Sequence, residues 1–230
     1  GTLQGRHVVE VGPGPGGLTR SLLESEAVSV TAIEKDERST VALRELEEAY
    51  PGRLKIIAAD ALETNLAELV PAPRKIVSNL PYNIGTPLLL NWLRQAREWE
   101  SMTLMFQKEV ADRLAAQPGS KAYGRLAIIT QWLCDVRSEF NVSPKAFTPP
   151  PKVSSSVITL QPRAEPLAPA RWEALEKITR AAFGQRRKML RTSLKSLNLN
   201  LEAMDINPTA RAEELEISQF CALARALDET

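Results

Sequence analysis

The sequence predicts an α/β protein: a mostly parallel, seven-stranded sheet with helices on both faces, followed by a small all-helical domain. Three observations carry this. Short apolar runs alternate with helical patterns from His7 to Ala116, the order expected of βαβ units. The first run leads directly into Gly12-Pro13-Gly14-Pro15-Gly16-Gly17, which opens a helix. Beyond Pro169 apolar residues recur only at helical spacing, the period of an amphipathic helix rather than a strand.

In chain order, His7 to Val11 is the first strand and Leu18 to Leu23 the first helix. Val28 to Glu34 is the second strand, and Asp36 caps a helix running to Tyr50, a residue type suited to that place. Leu54 to Asp60 is the third strand, followed by a weak helix at Leu62 to Val70. The apolar run Lys75-Ile76-Val77-Ser78 makes a fourth strand ending at Asn79. Pro87 to Gln95 is helical, Met102 to Phe106 is the fifth strand, and Lys108 to Ala116 is a helix. Gln117-Pro118-Gly119-Ser120 breaks the alternation, and Leu126 to Cys134 is a further helix. Val136 to Val142 and Ser155 to Leu160 then follow with no helix between them, which predicts antiparallel pairing at the sheet edge. Phe147-Thr148-Pro149-Pro150-Pro151 joins them, a stiff extended segment. Gln161 to Pro169 reads as a linker, dividing the chain into a domain over 1–163 and a helical one over 164–230.

In the second domain Trp172, Leu175, Ile178, Ala182 and Phe183 mark a helix. A second helix is expected to carry Arg186, Arg187, Lys188, Arg191 and Lys195. Arg187, Arg191 and Lys195 would then form one stripe and Leu190, Leu194 and Leu197 another. Like charges four apart disfavour an isolated helix by about 0.2–0.5 kcal/mol per pair. Between Arg180 and Lys195 no acid offsets them, whereas a polyanion would. Ile206 to Ala210 reads as a turn and Ile217 to Leu227 as a last amphipathic helix.

Composition removes several classes of function. Of 230 residues 43% are hydrophobic, ample for a core. No run of 18 apolar residues exists, so no membrane span is expected. A net charge of +1 points to no partner globally. Cys134 and Cys221 lie in separate helical patterns and are expected to be reduced core residues of a cytoplasmic protein. With His7 the single histidine and no Cys/His cluster, no metal site is indicated. Starting at Gly1 and entering a strand almost at once, the chain reads as trimmed or processed.

The chemistry gathers where strands end. Gly12, Gly14 and Gly17 match G-x-G-x-x-G, and Glu34 lies 22 residues after Gly12 at the end of the second strand. That pattern admits a nicotinamide dinucleotide. Three features favour S-adenosylmethionine instead. Glu10 precedes the glycines, where a carboxylate is unwelcome beside a pyrophosphate. Pro13 and Pro15 remove amides that would cradle phosphate. Asp60 ends the third strand, placed to accept from an adenine amine. One such carboxylate would be an ordinary solvated strand end; three successive ones are not.

Asn79-Leu80-Pro81-Tyr82 follows the fourth strand. An N-x-P turn is common in itself, but this one offers an amide oxygen and a backbone carbonyl to a single NH2 group. Pro81 fixes the backbone, and Tyr82 supplies a ring for stacking on a base.

Glu10-x-Gly12-x-Gly14, Glu34, Asp60 and Asn79-Leu80-Pro81-Tyr82-Asn83 together resemble Rossmann-like class I methyltransferases acting on adenine N6 amines. The small-subunit ribosomal RNA adenine dimethyltransferases are the most similar group. Phe147-Thr148-Pro149-Pro150-Pro151-Lys152-Val153-Ser154-Ser155 and Phe183-Gly184-Gln185-Arg186-Arg187-Lys188 resemble that family too. The family normally carries an upstream Gln-Asn-Phe-Leu segment that helps cover cofactor and substrate, which this sequence lacks. The resemblance implies dimethylation of two adjacent adenosines in the 3′-terminal hairpin of small-subunit rRNA, and a role in late subunit assembly. The expected partners are the small ribosomal subunit and its rRNA, with the enzyme acting as a monomer and needing no metal.

Expected roles follow. Glu10, Gly12, Gly14, Gly16, Glu34, Asp60, Ala61 and Asn79 form the cofactor site. Asn79, Leu80, Pro81, Tyr82 and Phe147 form the catalytic site, with Tyr82 and Phe147 closing on the two faces of a flipped base. Arg186, Arg187, Lys188, Arg191 and Lys195 contact RNA. The competing assignments are the large-subunit rRNA methyltransferase of the macrolide-resistance type, an assembly-checkpoint RNA-binding factor, and more distantly a dehydrogenase.

Overall fold

The computed structural model describes residues 1–228. The element order is β1 (His7–Val11), α1 (Gly17–Glu24), β2 (Ser29–Glu34), α2 (Glu37–Ala49), β3 (Leu54–Ala58), α3 (Leu66–Leu69), β4 (Arg74–Asn79), α4 (Gly85–Leu93), β5 (Ser101–Gln107), α5 (Lys108–Leu114), α6 (Arg125–Leu133), β6 (Cys134–Val142), β7 (Ser155–Pro162), α7 (Trp172–Gly184), α8 (Leu190–Ser193) and α9 (Ile217–Asp228). Strands lie in the order β3-β2-β1-β4-β5-β7-β6. Pairings among β1 to β5 are parallel, and β7 enters antiparallel to β5. Chain order reverses between β1 and β4, so the carboxyl ends of these two strands flank a crevice, the usual ligand site of such sheets.

Two compact units emerge. The first contains Gly1–Ala111 and Arg137–Pro162; the second contains Asp112–Val136 and the chain from Arg163. The chain therefore passes between the units three times, after Ala111, Val136 and Pro162. The segment holding α6 belongs to the second unit, because its apolar side chains pack there.

In the first unit Val8, Leu22, Leu23, Val30, Leu43, Leu46 and Leu54 form one buried cluster under β1 to β3. Each such side chain contributes about 1.5–3 kcal/mol on leaving water. Helix α2 begins where Asp36 accepts a hydrogen bond from the Arg38 amide at 2.9 Å, a side-chain cap for an otherwise orphaned donor. The weak helix expected at Leu62 to Val70 is a single turn at Leu66–Leu69.

In the second unit Phe183 stacks on Phe220 at 5.8 Å, and Tyr123 meets Phe183 edge-on at 6.3 Å. The expected linker is tied down there. Arg163 and Leu167 donate their amides to Leu133 and Trp132, Arg163 pairs with Asp135 at 2.6 Å, and Trp132 donates its indole N–H to Ala168.

The expected helix over Arg186 to Lys195 is corrected by the structure. Helix α7 ends at Gly184, residues 185–188 turn, α8 is one turn at Leu190–Ser193, and Lys195–Leu197 is a 3-10 turn. The reason lies in the backbone. The amides of Leu190 and Arg191 donate to Ala210 and Pro208, and Met189 bridges Arg211, so these donors are lost to an i−4 ladder. Leu190 and Leu194 remain buried, but Arg187, Arg191 and Lys195 share no helical stripe.

Candidate active site

The site is built at the carboxyl ends of β1, β2 and β4. Ser78 fixes its geometry: its hydroxyl donates to the Val11 carbonyl at 2.6 Å, tying the tip of β4 to the tip of β1. Gly12 donates its amide to Ile33 at 2.9 Å, tying the glycine turn to β2. Gly12 has φ +66°, and a Cβ there would stand 3.3 Å from the Pro81 ring. The glycine turn and the Asn79-to-Tyr82 turn are therefore in contact. Pro81 offers its carbonyl to the amides of Ile84 and Gly85 at 3.2 and 3.0 Å, which locks the second turn at the start of α4. Leu80 is 2% exposed and anchors it.

The remaining glycines divide by task. Gly14 has φ +55°, and open space lies where its Cβ would be, so a ligand has room at its backbone. Gly16 is different: it is buried with φ +88°, and a Cβ would fall 2.7 Å from Leu46 and 3.0 Å from Leu43. Packing of the turn against α2 demands glycine at 16.

Glu34 ends β2, Glu10 lies within β1, and Asp60 lies two residues beyond the end of β3 at Ala58, not on the strand as expected. Glu34 accepts from the amides of Lys35 and Asp36 at 2.8 Å each and from Gly14 at 3.2 Å, so it is held against the glycine turn. Asp60 accepts from the Leu62 amide at 2.9 Å and pairs with Lys35 at 2.7 Å. The Lys35 ammonium, bonded directly to it, draws the Asp60 carboxyl below the ordinary range. Ala61 is buried next to it.

Glu10 is 1% exposed and accepts a hydrogen bond from the Thr19 hydroxyl at 2.6 Å. Burial raises its pKa from 4.5 to about 7; Thr19 opposes the rise, and the charge of Glu34 adds to it. A carboxyl raised in the fold stabilises most below pH 4.5, and that contribution is lost as pH climbs through 7. Glu10→Gln, which keeps an acceptor for Thr19, is therefore expected to raise stability at pH 8 by about 1–3 kcal/mol and to change little at pH 5. Thermal melts at the two pH values check this.

Asn79 is exposed at the end of β4. It lies on the rim of a cavity of 620 Å³ floored by β4, β5 and β7, and of a smaller one of 270 Å³. The smaller is lined by Asn79, Leu80, Pro81, Tyr82, Phe147, Pro149 and Pro151. All five expected catalytic residues thus surround one slot. Tyr82 is 38% exposed, and its hydroxyl meets Ser155 at 2.6 Å. Ser78, Thr19, Lys35 and Ser155 are not marked by the sequence, because a lone hydroxyl or amine in a strand, helix or loop carries no local signal of what it touches.

The expected RNA contacts lie in the second unit, and all five are exposed. Arg186 differs from the rest: it pairs with Glu213 at 2.9 Å and donates to the carbonyls of Lys121 and Tyr123. It is an internal tie of that unit. Arg191 and Lys195 line a groove of 280 Å³ with Leu190, Leu194, Asn198 and Pro208.

Strand order with an antiparallel β7 next to the edge, a glycine turn after β1, and Pro81 of the turn after β4 packed on Gly12 define a Rossmann-like methyltransferase. The chain belongs to the ribosomal RNA adenine dimethylase family, whose model matches residues 3–229. It is 63% identical over 224 residues to ribosomal RNA small subunit methyltransferase A of Paramagnetospirillum magneticum, covering 96% of this chain and 80% of that protein. The protein of that name from Rhodospirillum rubrum is 58% identical, with 96% and 78% covered. Among solved structures, a dimethyladenosine transferase from Plasmodium falciparum superposes with a TM-score of 0.84 at 27% identity, covering 99% of this chain and 92% of that one. The 23S rRNA methyltransferase ErmE reaches 0.71 at 27% identity, with the same coverage.

Proposed function

We propose that this chain transfers methyl groups from S-adenosylmethionine to the N6 amines of two adjacent adenosines in the 3′-terminal hairpin of small-subunit rRNA, acting late in subunit assembly. The observation that carries this is the contact of Gly12 with Pro81, which joins the glycine turn to the turn that carries Asn79 and Tyr82. Relatives named for the small subunit at 63% and 58% identity, against 27% for ErmE, favour the small subunit over the large.

The chain's donors and acceptors suit that cofactor. Pro13 and Pro15 offer no amide to a pyrophosphate, while Gly14 leaves room at its backbone. Glu10 would hold the amino group of the methionine moiety, Glu34 the ribose hydroxyls, and Asp60 the adenine amine, sharing its carboxylate with Lys35. The bound cofactor supplies a methyl group already activated on a sulfonium. The protein's task is then position and electrostatics. The Asn79 side-chain oxygen and the Leu80 carbonyl accept the two hydrogens of the target N6 amine. That alignment favours the pyramidal nitrogen whose lone pair can attack. Tyr82 and Phe147 would hold the flipped ring in the slot between them, and the displaced proton passes to water.

The direct test is a labelled-methyl assay on unmethylated small and large subunits, with the product digested to nucleosides. Dimethyladenosine from small subunits alone supports the proposal; label in large subunits alone overturns it.

The second unit would contribute RNA affinity through Arg187, Lys188, Arg191 and Lys195. Neutralising about four phosphates gives a slope of log K against log salt of about −3 to −4. Because Arg186 is engaged with Glu213, Arg186→Ala should lower the thermal midpoint more than it changes that slope. Lys195→Ala should do the reverse. Binding titrations across salt, with melts of each variant, check both.

A further inference from the structure

We infer that Ser155 is a positioning residue for the adenine slot, setting the orientation of the Tyr82 ring through a hydrogen bond between the two hydroxyls; this rests on the assignment of Tyr82 to base stacking. Tyr82 sits in the turn after β4 with a little over a third of its surface open. Nothing about an exposed aromatic in a turn fixes its ring angles. Its hydroxyl, however, lies 2.6 Å from Ser155 Oγ.

Ser155 is itself well anchored. It is fully buried, its backbone is paired with Gln107 in the β5–β7 ladder, and the neighbouring Ser154 carbonyl accepts from the Lys108 amide at 2.9 Å. Phe147, Pro149 and Pro151, in the segment leading into β7, line the same slot as Asn79 and Tyr82. A single bond thus ties the Tyr82 ring to the start of β7, where the segment carrying Phe147, Pro149 and Pro151 is rooted. Ser155 lies outside the slot lining; it acts on the base only through Tyr82.

The bond should matter for turnover and not for RNA capture, which depends on phosphate contacts. An intramolecular hydrogen bond of this kind contributes enough that Ser155→Ala and Tyr82→Phe should each lower kcat roughly three- to tenfold. KM for the small subunit should stay within about twofold, and the double variant should be no worse than either single one, since both remove the same bond. Substrate is the unmethylated small subunit, and thermal melts and cofactor binding are followed for each variant. Tyr82→Ala serves as the reference.

A loss of kcat in both single variants, non-additive in the double and without a matching loss of thermal midpoint, supports the assignment. Wild-type kcat in Ser155→Ala, or additive losses, while Tyr82→Ala is strongly impaired, overturns the role of Ser155 and leaves the base slot standing. Full activity in Tyr82→Ala removes the stacking role itself, and the inference with it.

Discussion

Asn79→Ala should lower methyl transfer about 10²–10³-fold, the loss that follows removal of one preorganised hydrogen-bonding group from an active site. Cofactor binding should remain nearly intact, because Glu10, Glu34 and Asp60 hold their places through bonds that do not involve Asn79. The fold should be unaffected as well: Asn79 is exposed, and the register of β4 against β1 is secured by Ser78. Asn79→Asp retains an acceptor in the same place and loses the amide donor, so it should fall between wild type and alanine. Single-turnover transfer to unmethylated small subunits, with equilibrium cofactor binding beside it, measures both. Full activity in Asn79→Ala would remove the physical basis of the proposed chemistry.

The second large effect concerns stability. Gly16→Val should destabilise the first unit by about 2–5 kcal/mol, from two sources. A left-handed backbone, here φ +88°, costs a residue with a Cβ about 1–2 kcal/mol. The new side chain also meets Leu46 and Leu43 at 2.7 and 3.0 Å, and overpacking of that kind costs about 1–3 kcal/mol. For a chain of this size the thermal midpoint should fall by roughly 5–20 °C. Gly14→Val shares the backbone penalty but meets open space, so it should fall less in stability while interfering more with cofactor binding. Equal losses of stability in the two variants would show that the space around the glycines, as distinct from their backbone angles, is not what separates them.

Much of the first unit was legible because its signals are local. Apolar runs between helices gave β1 to β5, and strand ends placed Glu10, Glu34, Asp60 and Asn79 at one edge. What stayed hidden depends on partners remote in sequence. Ser78 looks like a strand residue until Val11 is beside it. Gly16 looks like part of a ligand loop until α2 packs on it. The cations from Arg186 to Lys195 read as a helix because their spacing fits one, yet the amides of Leu190 and Arg191 are claimed by residues 208–210. The helix at 125–133 is apolar and buried nearly all round, but that does not say that it packs with a segment beginning at Arg163.

That interleaving bears on synthesis. The chain enters the second unit at Asp112, leaves it at Arg137 and returns at Arg163. Tyr123 finds Phe183 only after a long stretch has been translated, and Phe183 then awaits Phe220. At roughly 5–20 residues per second the nascent chain carries the apolar run Leu126-Ala127-Ile128-Ile129 without its mates for several seconds. During that interval capture by a holdase or by another nascent chain competes with docking, so the yield of folded enzyme in cells is governed by the order in which its segments emerge as well as by the stability of the finished fold.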